Sequence, residues 1–155
     1  MSLFSNPIHS SHGFYFNDLS IGMTDSYSKT ITETDIVDFA HISGDTTPLH
    51  LSEEFARTTR FKSRIAHGIL TASLISTVIG TRLPGPGSIY ITQMLRFKAP
   101  VRIGDTATAS VTVKQLIPEK KIVELKTICK VSGIVVLDGE ATAIVPMKNV
   151  SETGI

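Results

Sequence analysis

The second half of the chain alternates between apolar and polar positions. In "SIYITQMLRFKAP", Ile89, Ile91, Leu95 and Phe97 share one face and Tyr90, Thr92, Arg96 and Lys98 the other, the period-two pattern of a half-buried strand. "DTATASVTVKQL" repeats it, with Ala107, Ala109, Val111 and Val113 turned inward. "PEKK" turns the chain, "KIVELKTICKV" alternates again, and "SG" leads into "IVVLDGEATAIVP", where Asp138-Gly139 reads either as a tight turn or as a bulge within one long strand.

The first half is patterned for helices. After a short alternation around Tyr27, Lys29 and Ile31, Thr32 with Asp35 forms an approximate capping box. Ile36, Val37, Phe39 and Ala40 recur at helical spacing, and Gly44 supplies the stop. Ser52, followed by Glu53 and Glu54, caps a second short helix. A long apolar helix is predicted from about Gly68 to Arg82, ended by "PGPG". One such helix followed by three or four antiparallel strands is an α+β order in a single domain. Because that helix is apolar on most sides, the sheet must curve around it, forming a long central helix wrapped by a curved antiparallel β-sheet.

Composition narrows the partners. At 155 residues, 41% apolar and 19% charged, the chain has a globular balance, and a net charge of +1 provides no field to hold a nucleic-acid backbone. The most apolar window, Ile65 to Leu83, is only just long enough for a membrane span and is diluted by His67, Ser73, Ser76, glycines and threonines, so a buried helix is expected and no membrane partner. With Cys129 as the single cysteine, an intrachain disulfide and Cys-based zinc sites are excluded, and a reducing compartment is the simplest fit. The polar start "MSLFSNPIHSSH" lacks the form of a secretory signal, which leads to the expectation of a cytoplasmic protein.

The chemistry concentrates in "SGDTTPLH". Asp45 and His50 are an acid/base pair close in sequence, in a segment constrained by Pro48, and their side chains can converge on one water. The commoner reading of such a pair is a capping Asp and a surface His. If Gly68 of "AHGI" opens the central helix, its N–H faces outward at the positive end of the dipole, a place for a carbonyl oxygen that gains negative charge, against the plainer reading of a helix start bonded to water. Together, a water-holding pair and an oxyanion donor suit the addition of water to a carbonyl-conjugated double bond.

The runs "SGDTTPLHLSEEFA", "IAHGILTASLIS" and "LPGPGSIYITQMLRFKAPVRIGD" resemble the MaoC-like (R)-specific enoyl-CoA hydratases, the hydratase-2 family, and especially the short bacterial members that supply monomers for polyhydroxyalkanoate synthesis. The resemblance runs from about residue 18 to 146 and implies one hotdog domain over 1–155. It implies that Asp45 and His50 are catalytic, that the Gly68 N–H is the oxyanion donor, and that trans-2-enoyl-CoA is hydrated to (R)-3-hydroxyacyl-CoA without metal or other cofactor. It also implies a homodimer. The family's usual Asn two residues after the aspartate is replaced by Thr47, whose hydroxyl is shorter and branched. That departure bears on rate and substrate, and leaves room for a non-catalytic binder of acyl-CoA or acyl carrier protein. A hotdog acyl-CoA thioesterase is a further alternative, but it normally carries a carboxylate on the central helix, and Gly68 to Arg82 has none.

By the same resemblance Ser76 and Ile79 lie where the acyl pocket is lined, although a buried helical Ser often bonds to its own preceding turn and Ile is core by default. His67 is a candidate for substrate contact, with a structural histidine the commoner case. Arg57, Arg60, Lys62 and Arg64 precede the site and are either a solvated face or contacts for CoA phosphates. Cys129 reads as core, and His9, His12 and His41 show no metal-ligand spacing.

Overall fold

The computed structural model describes residues 12–149; His9 and most of the polar start lie outside them. The elements are β1 (Thr24–Thr30), α1 (Glu33–Ser43), α2 (Pro48–Leu51), α3 (Glu53–Arg57), α4 (Gly68–Thr81), β2 (Ile89–Phe97), β3 (Thr106–Ile117), β4 (Ile122–Val131) and β5 (Ile134–Ile144). The strands form one antiparallel sheet in the order β1-β3-β4-β5-β2, and β3, β1, β4 and β2 all pack on α4. This is the wrapped helix of a hotdog fold.

Local chemistry places the boundaries. Thr32 caps α1 by accepting the Asp35 N–H while the Asp35 carboxylate accepts the Thr32 N–H, and Gly44 closes the helix in the left-handed region at φ 76°. Ser52 accepts the Phe55 N–H at the start of α3. Between β4 and β5, Ser132 and Gly133 both take positive φ, which suits the two-residue hairpin that pairs Val131 with Ile134.

The core forms where α4 meets β3 and β4. Leu70, Leu74, Ile75, Val78 and Ile79 are buried against Ala107, Ala109, Val111 and Val113 of β3 and Val123, Leu125 and Cys129 of β4. Each buried Leu, Ile or Val contributes about 1.5–3 kcal/mol relative to exposure, and the two small alanines leave room for the helix to lie close. Burial pushes the Cys129 thiol up to about 12, in keeping with a core residue.

The alternation read for β2 is corrected by a bulge. The register with β5 shifts between Tyr90 and Thr92, so Ile91 is extra and the inward set becomes Tyr90, Gln93 and Leu95. One inserted residue reverses the parity of the flanking stretches. Ile89, Ile91 and Met94 are therefore exposed on an edge strand, and Phe97, at its end, is exposed as well.

At Asp138-Gly139 the chain does not turn: β5 runs through it, with Gly139 opposite Leu95 on one side and Thr127 on the other. A Cβ at Gly139 would overlap the Met94 carbonyl oxygen, a backbone atom that cannot swing away. Gly139→Ala is therefore expected to cost about 1–3 kcal/mol by overpacking, read as a lowered midpoint in urea. An unchanged midpoint would show that β2 and β5 can separate without penalty.

Candidate active site

The site is built where α1, α2 and the N-terminus of α4 meet. Past Gly44, the Asp45 N–H donates to Ser43 Oγ at 3.1 Å, and Asp45 Oδ1 accepts both the Thr47 N–H at 3.1 Å and the Thr47 hydroxyl at 2.5 Å. The Thr47 hydroxyl, then its backbone N–H, hold the exposed Asp45 carboxyl below the usual carboxylate range.

His50 sits on α2, a single helical turn that Pro48 opens and that the sequence pattern did not reveal. Its Nδ1–H donates to the Ile65 carbonyl at 2.8 Å, which leaves Nε2 of the neutral ring as a bare acceptor. Arg64 anchors the same turn: its Nε–H donates to the His50 carbonyl and its other arm to the Glu33 carboxylate, both at 2.7 Å, with the side chain only 11% exposed. The basic run thus divides. Arg64 is structural, Arg57 faces Glu53 at 3.9 Å, and Arg60, lying 4.9 Å from the Phe61 ring, borders the cavity described next.

A cavity of about 350 Å³ opens beside His50 and Gly68, and its walls include Phe61, Phe97, Val136 and Leu137. Gly68 is the first residue of α4, no side chain caps that helix, and the residue is exposed, so its N–H is free to meet a ligand oxygen. A side chain at Gly68 would strike the Phe97 ring. Phe97 and the strand-β5 residues were not singled out from sequence, because their place at this wall depends on the β2–β5 pairing. Thr71 also lines the cavity, one turn into α4.

Asp45, His50 and His67 each present one polar atom within 4.8 Å of the others. That span suits one water bonded at about 2.8 Å to two acceptors. The His50 and His67 rings lie against each other, tilted by 30° with centroids 3.9 Å apart.

The other predicted residues fall elsewhere. His67 is buried, with its Nε2–H donating to the Asp45 carbonyl at 2.9 Å, and does not line the cavity. Thr47 lies on Asp45. Ser76 is exposed on an outward stripe of α4 with Ile69, Ser73 and Gly80, and Ile79 is buried in the core; neither borders this cavity.

A helix wrapped by an antiparallel sheet, with Asp45 and His50 near its open N-terminus beside a cavity, defines a hotdog-fold protein with a candidate active site. The chain belongs to the MaoC-like domain family, whose model matches residues 20–137. It is 59% identical over 134 residues to an (R)-specific enoyl-CoA hydratase of Rhodospirillum rubrum, a match covering 86% of this chain and 93% of that one. It is 55% identical to a 3-hydroxybutyryl-CoA dehydratase of Methylorubrum extorquens, covering 86% and 85% of the two chains. The solved structure of the R-hydratase PhaJ1 from Pseudomonas aeruginosa superposes with a TM-score of 0.83 at 39% identity, covering 93% of this chain and 96% of that one.

The depressed Asp45 value carries a sign. Its ionised form is favoured by the fold, so the contribution of the Thr47 bonds is present above the ordinary carboxylate range and is lost as pH falls through the folded value. Thr47→Val removes the hydroxyl at constant volume, and the Asp45 midpoint, followed by carboxyl-carbon NMR, is expected to rise toward its ordinary value. An unmoved midpoint would remove the hydroxyl as the cause.

Proposed function

We propose that this chain catalyses the reversible, (R)-specific hydration of trans-2-enoyl-CoA to (R)-3-hydroxyacyl-CoA. The observation that carries the reading is that His50, whose Nε2 is left as an acceptor, and the open N–H of Gly68 share one cavity, with an Asp45 carboxylate oxygen within 4.8 Å of a His50 ring nitrogen just outside its wall. The names of the relatives support the same reaction.

In this reading the thioester carbonyl accepts the Gly68 N–H, and the α4 dipole stabilises the enolate-like charge that develops on its oxygen. A water donates its two protons toward the Asp45 carboxylate and His50 Nε2, so its lone pair faces C3. The oxygen bonds to C3, one O–H bond breaks, and the pair returns that proton to C2; the sum is the addition of one water. All electrons come from the water and the conjugated double bond, and no cofactor beyond the substrate's own CoA takes part. Arg60, at the cavity wall, is placed to meet a CoA phosphate. The product is the type of thioester used as a polyhydroxyalkanoate monomer.

The proposed assembly is a homodimer formed along β2. That strand is an edge, and Ile89, Ile91 and Met94 are exposed on it; pairing with a second copy satisfies its free backbone groups and covers apolar surface. Ser76, on the outward stripe of α4, then belongs to a face that a second copy can reach. No helix among the described residues is long and apolar enough to cross a membrane. The proposed location is the cytoplasm, where a lone buried cysteine stays reduced.

Purified protein given crotonyl-CoA is expected to bleach the conjugated absorbance without releasing thiol. Thiol release would identify a thioesterase, and neither change would identify a binder. Asp45→Ala and His50→Ala are each expected to lower kcat by about 10²–10⁴-fold, the range for loss of an acid/base group; wild-type rates in either variant remove that residue from the mechanism. Sedimentation equilibrium is expected to give twice the 16.8 kDa of one chain, and a monomer at micromolar concentration would contradict the pairing along β2.

A further inference from the structure

Gly68 and the acid/base pair come from different segments, and one side chain touches both sides of that junction. His67 is 2% exposed and directly precedes Gly68. Its Nε2–H donates to the Asp45 carbonyl at 2.9 Å, one face of its ring lies 3.9 Å from the His50 ring, and Phe39 tilts against it at 4.8 Å. Its Nδ1 is buried without a hydrogen-bond partner among the described residues.

These contacts determine the form of the ring. The Asp45 carbonyl can only accept, so Nε2 carries the proton; a second proton on Nδ1 would be buried with no acceptor, so Nδ1 stays bare. His67 is thus a neutral donor whose tautomer is opposite to that of His50, where Nδ1 holds the proton and Nε2 is bare. A ring in this state neither exchanges a proton with substrate nor lies on the cavity wall.

We infer that His67 is a positioning residue for the hydration step: it ties the Asp45 backbone and the plane of the His50 ring to the N-terminus of α4, and so sets the distance between the water-holding pair and the Gly68 N–H. The inference rests on the hydratase reading and gives that site a part that neither Asp45, His50 nor Gly68 supplies. Catalytic geometry is steep enough for such a part to matter, since a misplacement of about 1 Å can cost about 10²-fold in rate.

Two substitutions separate the hydrogen bond from the ring. His67→Gln keeps an N–H near the position of Nε2, whereas His67→Phe keeps the flat ring against His50 and has no donor. With crotonyl-CoA, His67→Phe is expected to lose about 10²-fold in kcat with KM almost unchanged, and His67→Gln to recover most of that loss. A KM increase at constant kcat would instead make His67 a substrate contact and overturn the inference, as would wild-type kcat in His67→Phe or an equal loss in both variants. Should His67→Phe fail to fold, ring-nitrogen NMR of the wild-type protein at pH 8 decides the matter. Opposite tautomers for His67 and His50 support the positioning contact, and a proton on Nδ1 of His67 overturns it. A wild-type protein that does not hydrate crotonyl-CoA defeats the hydratase reading itself, and the tautomers then still decide whether His67 holds Asp45.

Discussion

The burial of α4 is the constraint on which the other features depend. Its side chains are apolar around most of the circumference, and a flat sheet would cover one stripe and leave the rest in water. The sheet therefore curls, with β1 and β2 at its two edges and both edges as well as β3 and β4 packed on the helix. Encasing a helix in this way fixes where it begins. The first turn emerges at the rim of the sheet, where backbone N–H groups that no side chain caps face a cavity rather than the core. The fold thus presents a partial positive charge at a defined place before any catalytic side chain is added.

Asp45 and His50 are held near that place by a short chain of backbone anchors. Gly44 ends α1, Thr47 closes a turn on the Asp45 carboxylate, and Pro48 starts the single turn that carries His50. Arg64 and the Ile65 carbonyl then secure His50 from the segment leading into α4. Asp45 and His50 are held by neighbours that donate to the one and accept from the other, which leaves each free to accept. A pair of acceptors is what orients a water with its lone pair outward.

Much of this was legible in the sequence because it depends on near neighbours along the chain. The Thr32–Asp35 box, the Gly44 stop, the Ser52 cap and the alternation of Ala107 to Val113 are local patterns with local causes, and each agrees with the structure. The resemblance in turn picked out Asp45, His50 and Gly68, which the structure brings together. What was not legible depends on distant pairing. The Ile91 bulge exists only relative to β5, and nothing within "SIYITQM" marks the residue at which parity changes. Arg64 stands among basic residues that look alike in sequence, and its burial follows from Glu33 and the His50 carbonyl. The cavity walls at Phe97, Val136 and Leu137 are joined by the β2–β5 register. Ser76 and Ile79 were placed at the pocket by the resemblance, whereas the structure has Ser76 on the outward stripe of α4 and Ile79 in the core.

Thr47 shows how a departure from a family's usual residue can keep its chemistry. An Asn at this position offers an amide that both donates and accepts at longer reach. The Thr hydroxyl is too short for that reach and turns back onto Asp45, where it and the Thr47 N–H load the same oxygen, Oδ1. Two donors on one oxygen favour the ionised carboxyl and leave Oδ2 without a bond to Thr47, so the charge is stabilised on one side and available on the other. A carboxylate anchored through a single oxygen is fixed in orientation yet still able to receive a water proton. Thr47 therefore acts on the acidity and direction of Asp45, and in the proposed mechanism the water is left to Asp45 and His50.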